Sequence, residues 1–408
     1  MSESQARPLT FVCLASYFKG AEFIRECKRQ GARVILVTRE KFLQEDWPRE
    51  SLDDIIAVPN DAGAEGFLYV VSQIGRPLKI DRVIALEEYD VVTAGLIREH
   101  LCLDGMTSTQ ARNFRDKLSM RDRASASGIR VPDFVHVLNY DELRDYMARV
   151  PPPWVLKPRS DVSAVGIKKL DDSEQVWRAI DALDARDNLR ERSPFYLLER
   201  YVAGDVFHVD SLVNEGKVVF AGASAYGRPP MEVAHQGGVF ITRTVKRNSE
   251  DERKLLKLNR KLISALGLSH GAAHAEFIKS AEDGEFYFLE IAARVGGAYI
   301  AESLEAASGI NIWREWARIE IARGANPYKL APLRKEYGGI VLSLARQEYP
   351  DTGAYTEDEI VYRVKKRHHV GLVVRAAKLE RADELLNLYA HRFDEEFTAV
   401  APPLERAE

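Results

Sequence analysis

Cysteine is scarce in this chain, and the residues present are far apart. Cys13, Cys27 and Cys102 show no CxxC or metal-type spacing. A sparse, odd set of cysteines argues against a disulfide framework and is typical of a reducing compartment. No apolar run approaches the length that spans a bilayer, and the first segment, MSESQARPLT, has no apolar signal core. The sequence therefore predicts a cytoplasmic protein without a membrane partner.

An excess of charge of one sign is also missing. The chain has 58 Lys and Arg against 62 Asp and Glu, for a formal net charge of −4 over 408 residues. This balance gives no general reason to expect a nucleic-acid partner, although it is compatible with a local basic cleft for a phosphate ligand. The length allows two or three domains.

Two glycine-rich phosphate motifs are absent. The loop ASYFKGAEF is not GxGxxG, which disfavours a nicotinamide-dependent oxidoreductase, and GxxxxGK[ST] is missing as well. Short apolar strands nevertheless alternate with helical patterns in the first part of the chain, at 9–17, 33–39, 55–60 and 82–90. This alternation predicts a parallel sheet built from βαβ units.

The feature that points most directly to chemistry is a pair of glutamates on either side of a turn. Glu276 lies in GAAHAEFIKS and Glu290 in EFYFLEIAARVGG, with an Asp-Gly turn signal between them. A hairpin symmetric about Asp283 places these carboxylates opposite each other on one face. They repel unless a divalent cation lies between them, and Mg²⁺ prefers one or two carboxylates together with phosphates. Arg294, shortly afterwards, is the kind of group that binds an anion.

The register of this hairpin decides between two interpretations. A two-residue Asp-Gly loop would pair Glu276 with Ile291 and turn Glu290 to the other face. The metal site therefore requires an odd-length loop, for example three residues with a glycine bulge. The alternative is two exposed glutamates on a solvated sheet face, and the hairpin alone does not choose between them.

A second group of residues has the character of a phosphate site. Lys157 ends an apolar strand and enters a loop of small residues that includes Ser160, Ser163 and Gly166. Small residues let backbone N–H groups approach phosphate oxygens, and the lysine adds a point charge. Taken alone, the pattern fits a solvated surface hairpin better. Lys117, in RDKLSMR, is a further lysine near a helix start.

The segment YLLERYVAGDVFHV has the form of an extended strand with a hinge. Such a segment presents backbone amides to the edge of a base, and its polar side chains Glu199, Asp205 and His208 are available for ligand contacts. Each of the three is equally compatible with an exposed loop position. His274 and His235 are weaker candidates for a substrate pocket, because a lone histidine is more often structural than catalytic.

Taken in order, RDK, KP with its small-residue loop, ERYVAGD, HAEF and EIAARVGG resemble the ATP-grasp superfamily of carboxylate–amine ligases. Upstream, ALEEYDVVTAGLIREHLCLDGMT is similar to the end of the Rossmann-like domain that precedes the grasp fold in biotin carboxylases, purine-pathway ligases and L-amino-acid ligases. The resemblance runs from about residue 9 to about residue 310, and the EIAARVGG form favours the L-amino-acid ligases.

The resemblance implies an α/β and α+β architecture. A Rossmann-like domain is expected over 1–108, followed by a two-lobed ATP-grasp fold whose lobes cover about 109–195 and 196–312. A C-terminal α+β extension, over 313–408, is expected to pack on the grasp domain.

The resemblance also implies roles at matching positions. Glu276 and Glu290 would carry Mg²⁺ or Mn²⁺. Arg294 and Lys157 would act in catalysis by steadying the transferred phosphoryl group, while the loop 160–166 would close over the phosphates. The expected contacts with ATP are Lys117, Lys157, Ser160, Ser163, Gly166, Glu199, Arg200, Tyr201, Val202, Asp205 and His208.

Two positions depart from the family pattern. The family often has asparagine two residues after the second glutamate as an extra metal ligand, whereas this chain has Ala292, which leaves the number of bound metal ions open. The family also often places a ribose-binding glutamate just after the hinge glycine. Here Gly204 is followed by Asp205 and Val206, and Asp205 is expected to take that role from a shifted position.

The implied function is ATP-dependent ligation of a carboxylate, with an amino acid favoured, to an amine through an acyl phosphate. The expected partners are these small molecules, without nucleic acid or membrane, and a homodimer is left open. One alternative is a carboxylase-type enzyme that phosphorylates bicarbonate. Another is a nucleotide-binding regulatory protein without catalysis, which Ala292 favours.

Overall fold

The computed structural model describes residues 7–161, 166–229, 233, 238–323 and 327–399. These residues form three β-sheets with helices packed against them. Among the described helices, none has both the length and the apolar character that a bilayer crossing demands.

The first sheet is parallel, as the βαβ pattern predicts. Its elements are β1 (Thr10–Ala15), α1 (Ala21–Arg29), β2 (Arg33–Arg39), β3 (Asp54–Val58), α2 (Ala64–Gly75), β4 (Arg82–Ala85) and α3 (Val91–His100). The strand order is β3-β2-β1-β4. The last strand is shorter than predicted because the carboxylate of Glu87 accepts the N–H of Glu88 and starts a helical turn there. Since β4 adds on the far side of β1, a crevice opens at the carboxyl ends of these two strands.

The second sheet is small and antiparallel. This part of the chain follows the first sheet. Its elements are α4 (Ser108–Arg112), α5 (Lys117–Ala126), β5 (Phe134–His136), α6 (Tyr140–Arg149), β6 (Trp154–Pro158), β7 (Lys168–Leu170), α7 (Ser173–Asp184) and β8 (Tyr196–Arg200). Its strand order is β5-β8-β6-β7. The side chain of Asp116 accepts the N–H of Leu118 and caps α5, which fixes the start of that helix at Lys117.

The third sheet is antiparallel and contains the rest of the chain. Its elements are β9 (Gly204–Asn214), β10 (Lys217–Tyr226), β11 (Phe240–Thr244), α8 (Glu250–Leu266), β12 (Gly271–Ser280), β13 (Phe286–Ala292), α9 (Ile300–Ser308), α10 (Ile312–Ala322), β14 (Tyr337–Leu344), β15 (Ile360–Arg363), β16 (His369–Ala376) and α11 (Leu379–Glu396). The order is β13-β12-β9-β10-β11-β14-β16-β15. The C-terminal strands therefore extend the same sheet that carries the glutamate hairpin.

The hairpin of β12 and β13 has a register that no simple loop would give. Glu276 lies directly opposite Glu290, as predicted for facing carboxylates. The loop has four residues between the bonded Ser280 and Glu285, so the predicted odd-length loop is wrong. The extra residue is Leu289, which has no partner because the register shifts beside Glu276. This bulge turns Glu290 to the face of Glu276, which an unbroken ladder would not do.

Candidate functional site

A cleft of about 650 Å³ lies between the second and third sheets. Part of its wall is apolar and consists of Val155, Ile167, Val202, Val206, Ile278 and Leu289. Another part is charged and consists of Lys117, Lys157, Glu199, Glu276, Glu290 and Arg294. The structure thus brings to one cleft the lysines, glutamates and arginine that are far apart in the sequence. Leu289 and Glu290 are consecutive, yet both line the cleft because of the bulge.

The facing carboxylates have different neighbours. Glu276 Oε1 accepts a 2.7 Å hydrogen bond from the Tyr226 hydroxyl, and Glu290 Oε2 lies 3.0 Å from Lys117 Nζ. Burial alone would raise the pKa of Glu290, but Lys117 and then Lys157 lower it to about 2. Glu290 is therefore ionised at neutral pH, as a carboxylate that binds a divalent cation must be.

The donors at this position suit a hard cation. Mg²⁺ and Mn²⁺ bind oxygen ligands, and two carboxylates on one face of a hairpin supply them. Ala292 is buried and lies opposite His274 on the same hairpin. Its methyl group offers no ligand, so the third oxygen position of the family pattern is not provided by this side chain.

Lys157 does not lie free in the cleft. Its Nζ forms an ion pair with Oε1 of Glu199. The other oxygen of Glu199 lies 3.0 Å from both Nε and Nη2 of Arg121, a residue that the sequence analysis missed. Burial lowers the pKa of Lys157 to about 8, although the Glu199 carboxylate opposes this effect. The three side chains form a buried, charged cluster in which Lys157 and Glu199 line the cleft and Arg121 lies behind Glu199.

Arg294 connects the cleft to the crevice of the parallel sheet. Its Nε and Nη2 lie 3.2 and 3.1 Å from Glu88 Oε2, and Glu88 Oε1 accepts a 2.6 Å bond from Arg115. Glu87 pairs with Lys19 at 2.8 Å. Lys19 follows β1, and the two glutamates follow β4. The rule that ligands bind outside the carboxyl ends of parallel strands would have singled out these three residues.

Among the described residues, four of the expected nucleotide contacts do not line the cleft: Asp205, His208, Ser160 and Gly166. Side chains alternate along β9, so Val206 faces the cleft while Asp205 is exposed on the other side. His208 is fully buried, its ring lies 4.7 Å from that of Tyr226, and its Nδ1 lies 2.6 Å from Asp210. The expectation that the side chains of Asp205 and His208 contact a ligand does not match this arrangement.

The expected phosphate loop is described only at its ends. Ser160 is exposed, and its carbonyl accepts a 2.6 Å bond from Arg115. Gly166 has φ +73°, a left-handed conformation that favours glycine. Ser163 lies outside the described residues, as does His235.

The hinge after β8 lines the cleft through Arg200, Tyr201 and Val202. The guanidinium of Arg200 turns to Glu282, at 3.2 Å, and thus away from the charged wall. Lys169 lies over the ring of Tyr201, 4.4 Å from its centroid. Val202 is buried in the apolar wall. The backbone N–H groups of Arg200 and Tyr201 donate to the carbonyls of Asp133 and Pro153, at 2.8 and 3.0 Å.

His274 belongs to a buried polar cluster beside Glu276. Its Nδ1 lies 2.9 Å from Asp210 Oδ1, and its Nε2 lies 3.5 Å from Glu276 Oε1. Gly296 packs against this cluster so closely that a Cβ would lie 2.7 Å from Asp210 Oδ1, which explains why the chain has glycine there. Burial lowers the pKa of His274, but Asp210 outweighs it and raises the pKa to about 9.

The pKa of His274 predicts a loss of stability at alkaline pH. The pKa of His274 in the folded protein, about 9, exceeds its ordinary value of 6.5. The stabilisation of the folded state by protonated His274 is therefore complete below pH 6.5 and disappears as the pH rises through about 9. One proton allows a slope of up to about 1.4 kcal/mol per pH unit. In urea unfolding, the difference in the free energy of unfolding between wild type and His274→Gln should shrink over this pH interval. The exposed His391→Gln is the control, and a constant difference would contradict the prediction.

Comparison with known proteins supports the same assignment of the fold. Residues 150–302 match the family model of the ATP-grasp domain. The chain is 25% identical over 250 residues to the L-arginine-specific L-amino acid ligase of Bacillus subtilis, across 60% of this chain and 59% of the relative. The chain thus spans less than two thirds of the length of that relative.

Solved structures share the fold over almost the whole chain. An L-amino acid ligase from Bacillus licheniformis has a TM-score of 0.75 at 18% identity, covering 97% of this chain and 99% of its own. An N5-carboxyaminoimidazole synthetase from Staphylococcus aureus, solved with ADP, has a TM-score of 0.70 at 13% identity, covering 94% and 96%. The predicted fold class and the predicted resemblance to ATP-grasp ligases are confirmed.

Proposed function

We propose that this chain, which carries an ATP-grasp domain, is an ATP-dependent ligase that joins a carboxylate to an amine. The observation that carries the proposal is the direct pairing of Glu276 with Glu290 across a hairpin that faces the cleft. A carboxylate pair beside Lys117, Lys157 and Arg294 is suited to phosphoryl transfer, because that reaction depends on positioning and charge neutralisation.

The two parts of the wall suggest how a nucleotide is oriented in the proposed site. The apolar wall and the backbone at residues 200–202 accept the base, and the charged wall accepts the phosphates. Lys117 and Lys157 offer point charges there, and the end of the loop at Asp161 borders the same space. Such a division into apolar and cationic parts is what a nucleoside triphosphate requires.

Glu276 and Glu290 would hold Mg²⁺ or Mn²⁺, which when bound neutralises phosphate charge. Arg294 is held by Glu88 at the domain crevice, so its guanidinium is oriented before any ligand arrives. Its remaining N–H groups are available to an anionic oxygen, and Lys157 adds a second cation. The substrate carboxylate attacks the γ-phosphorus of ATP, ADP leaves, and an acyl phosphate forms. An amine then attacks the carbonyl carbon of the acyl phosphate and loses a proton, and phosphate leaves.

The substrate carboxylate is proposed to be an amino acid. The names of the Bacillus relatives support this choice, since both are amino acid ligases. Tyr226, His274 and Ile300 also line the cleft. They offer both polar and apolar contacts to an amino acid. A bicarbonate-phosphorylating enzyme of the same fold has a different substrate requirement, which the test below separates.

Phosphate release from Mg·ATP should depend on adding both an amino acid and an amine. The measurement is a matrix of amino acids, other carboxylates and bicarbonate, with mass spectrometry of the products. Formation of an amide or peptide product in step with phosphate is the expected result. Release with bicarbonate alone would identify a carboxylase-type enzyme. ATP binding without release in any mixture would favour a regulatory protein and overturn the ligase proposal.

A further inference from the structure

Arg121 is fully buried, which is rare for an arginine unless its charge is paired. It lies one turn after Lys117 on α5, so both side chains project from the same face of the helix. Its Nε and Nη2 converge on Glu199 Oε2, both at 3.0 Å, and its guanidinium lies 5.6 Å from the centroid of the Phe288 ring. Among the described residues, neither Nη1 nor Nη2 has a hydrogen-bond partner, so Nε donates the hydrogen bond to Glu199 and Nη2 contacts it as an ion pair. Both Nη groups therefore keep N–H donors that can bind Glu199 more closely.

The carboxylate of Glu199 is divided between two cations. One oxygen pairs with Lys157 and the other with Arg121. Lys157 lines the cleft, whereas Arg121 lies behind Glu199 and away from it. Only one of the two cations can therefore reach a ligand in the cleft.

The ion pairs of Glu199 and Glu290 together contain one more positive than negative charge. Lys117 pairs with Glu290, while Lys157 and Arg121 share Glu199, so three cations face two carboxylates. A buried carboxylate without a partner is strongly unfavourable. If Arg121 were missing, Lys157 would be the only cation left for Glu199. A phosphate that drew Lys157 away would then leave Glu199 unpaired.

We propose that Arg121 is a positioning residue that keeps Glu199 paired, so that Lys157 can leave Glu199 for a phosphate of ATP. The inference rests on the proposed ATP-dependent function and adds to it a residue that touches neither substrate nor metal. Lys157 is thus held by Glu199 before ATP binds, and Arg121 allows its release without stranding a buried charge.

Arg121→Met should raise the KM for ATP by roughly 10²-fold, because binding must now break the last ion pair of Glu199. At saturating ATP, kcat should stay within about threefold of wild type, since the lost interaction affects binding before chemistry. Arg121→Lys should recover most of the affinity, as lysine can also pair with Glu199. Arg123→Met, at an exposed position on the same helix, is the matched control.

A second set of variants separates positioning from a general effect on the fold. In a Glu199→Gln background the side chain at position 199 has no charge that needs a partner. Arg121→Met should therefore change the KM for ATP by less than about threefold there. Lys157→Met should still raise it there, because its own phosphate contact is lost. Thermal unfolding of each variant identifies any that fail to fold, and Arg121→Gln, which also removes the charge, then replaces Arg121→Met in the cycle.

The outcomes are distinct. An Arg121→Met protein that melts earlier but keeps the wild-type KM would overturn the proposal, and so would an equal effect of Arg121→Met in both backgrounds. A wild-type protein that neither binds nor cleaves ATP would overturn the proposed function instead, before any variant is compared.

Discussion

Glu290→Gln should lower turnover by about 10³-fold or more, while the protein unfolds at close to the wild-type temperature. The substitution keeps the size of the side chain and removes one of the two facing carboxylate charges. It also removes the carboxylate that lies 3.0 Å from Lys117. That lysine keeps its 2.7 Å hydrogen bond to the Asp161 carbonyl, and Glu290 is only partly buried, so the cost in stability should be small. Because the carboxylate is ionised with a pKa of about 2, the loss of its charge is felt across the whole working pH range.

The measurement is steady-state phosphate release over a range of Mg²⁺ and Mn²⁺ concentrations, with circular dichroism to check the fold. Glu285→Gln is the matched control, since Glu285 lies on the same hairpin and does not line the cleft. Turnover of Glu290→Gln at the wild-type rate would remove the metal assignment from this hairpin.

Lys157→Met should weaken ATP binding by roughly 10²-fold with only a small change in stability. Breaking a buried ion pair usually costs about 3–5 kcal/mol, because a charge is stranded. Here Glu199 retains Arg121 at 3.0 Å, so the free energy of unfolding should fall by less than about 2 kcal/mol. Titration calorimetry with ATP and chemical unfolding measure the two quantities separately.

Lys168→Met serves as the control, because Lys168 is exposed on the neighbouring strand β7. Unchanged ATP affinity in Lys157→Met would exclude Lys157 from the nucleotide site. A loss of about 3–5 kcal/mol in the free energy of unfolding would show that Arg121 does not neutralise Glu199 when Lys157 is absent.

The strand and helix pattern was largely predictable, since apolar periodicity reports local structure. The register of the glutamate hairpin was one of two alternatives that the sequence left open, and the cause of the observed register was not predictable. The extra residue was expected in the turn, where Gly284 marks a loop. The structure places it at Leu289, an apolar residue without any local signal of a bulge. A bulge at such a position is set by packing on both faces of the sheet, which one strand cannot reveal.

The candidate site was predictable where residues stand in recognisable patterns and not where it depends on distant packing. Asp205 could have been set aside, because strand alternation places Val206 on the opposite face. Arg121 could have been found one turn after Lys117. Its contact with Glu199 could not, because that ion pair joins α5 to β8 through the tertiary fold. Neither could the bond of Arg294 to Glu88, which crosses between two sheets.

The order of strands in the third sheet has a consequence for how the chain matures on the ribosome. The strands that carry the facing carboxylates are neighbours in sequence and pair early, but β11 ends at Thr244 and its outer partner, β14, begins only at Tyr337. Until that later segment emerges, β11 presents an open row of backbone N–H and C=O groups, which other chains can pair with. Nascent chains are thus expected to be most prone to aggregation, and most dependent on chaperones, after the cleft has formed and before the sheet is complete.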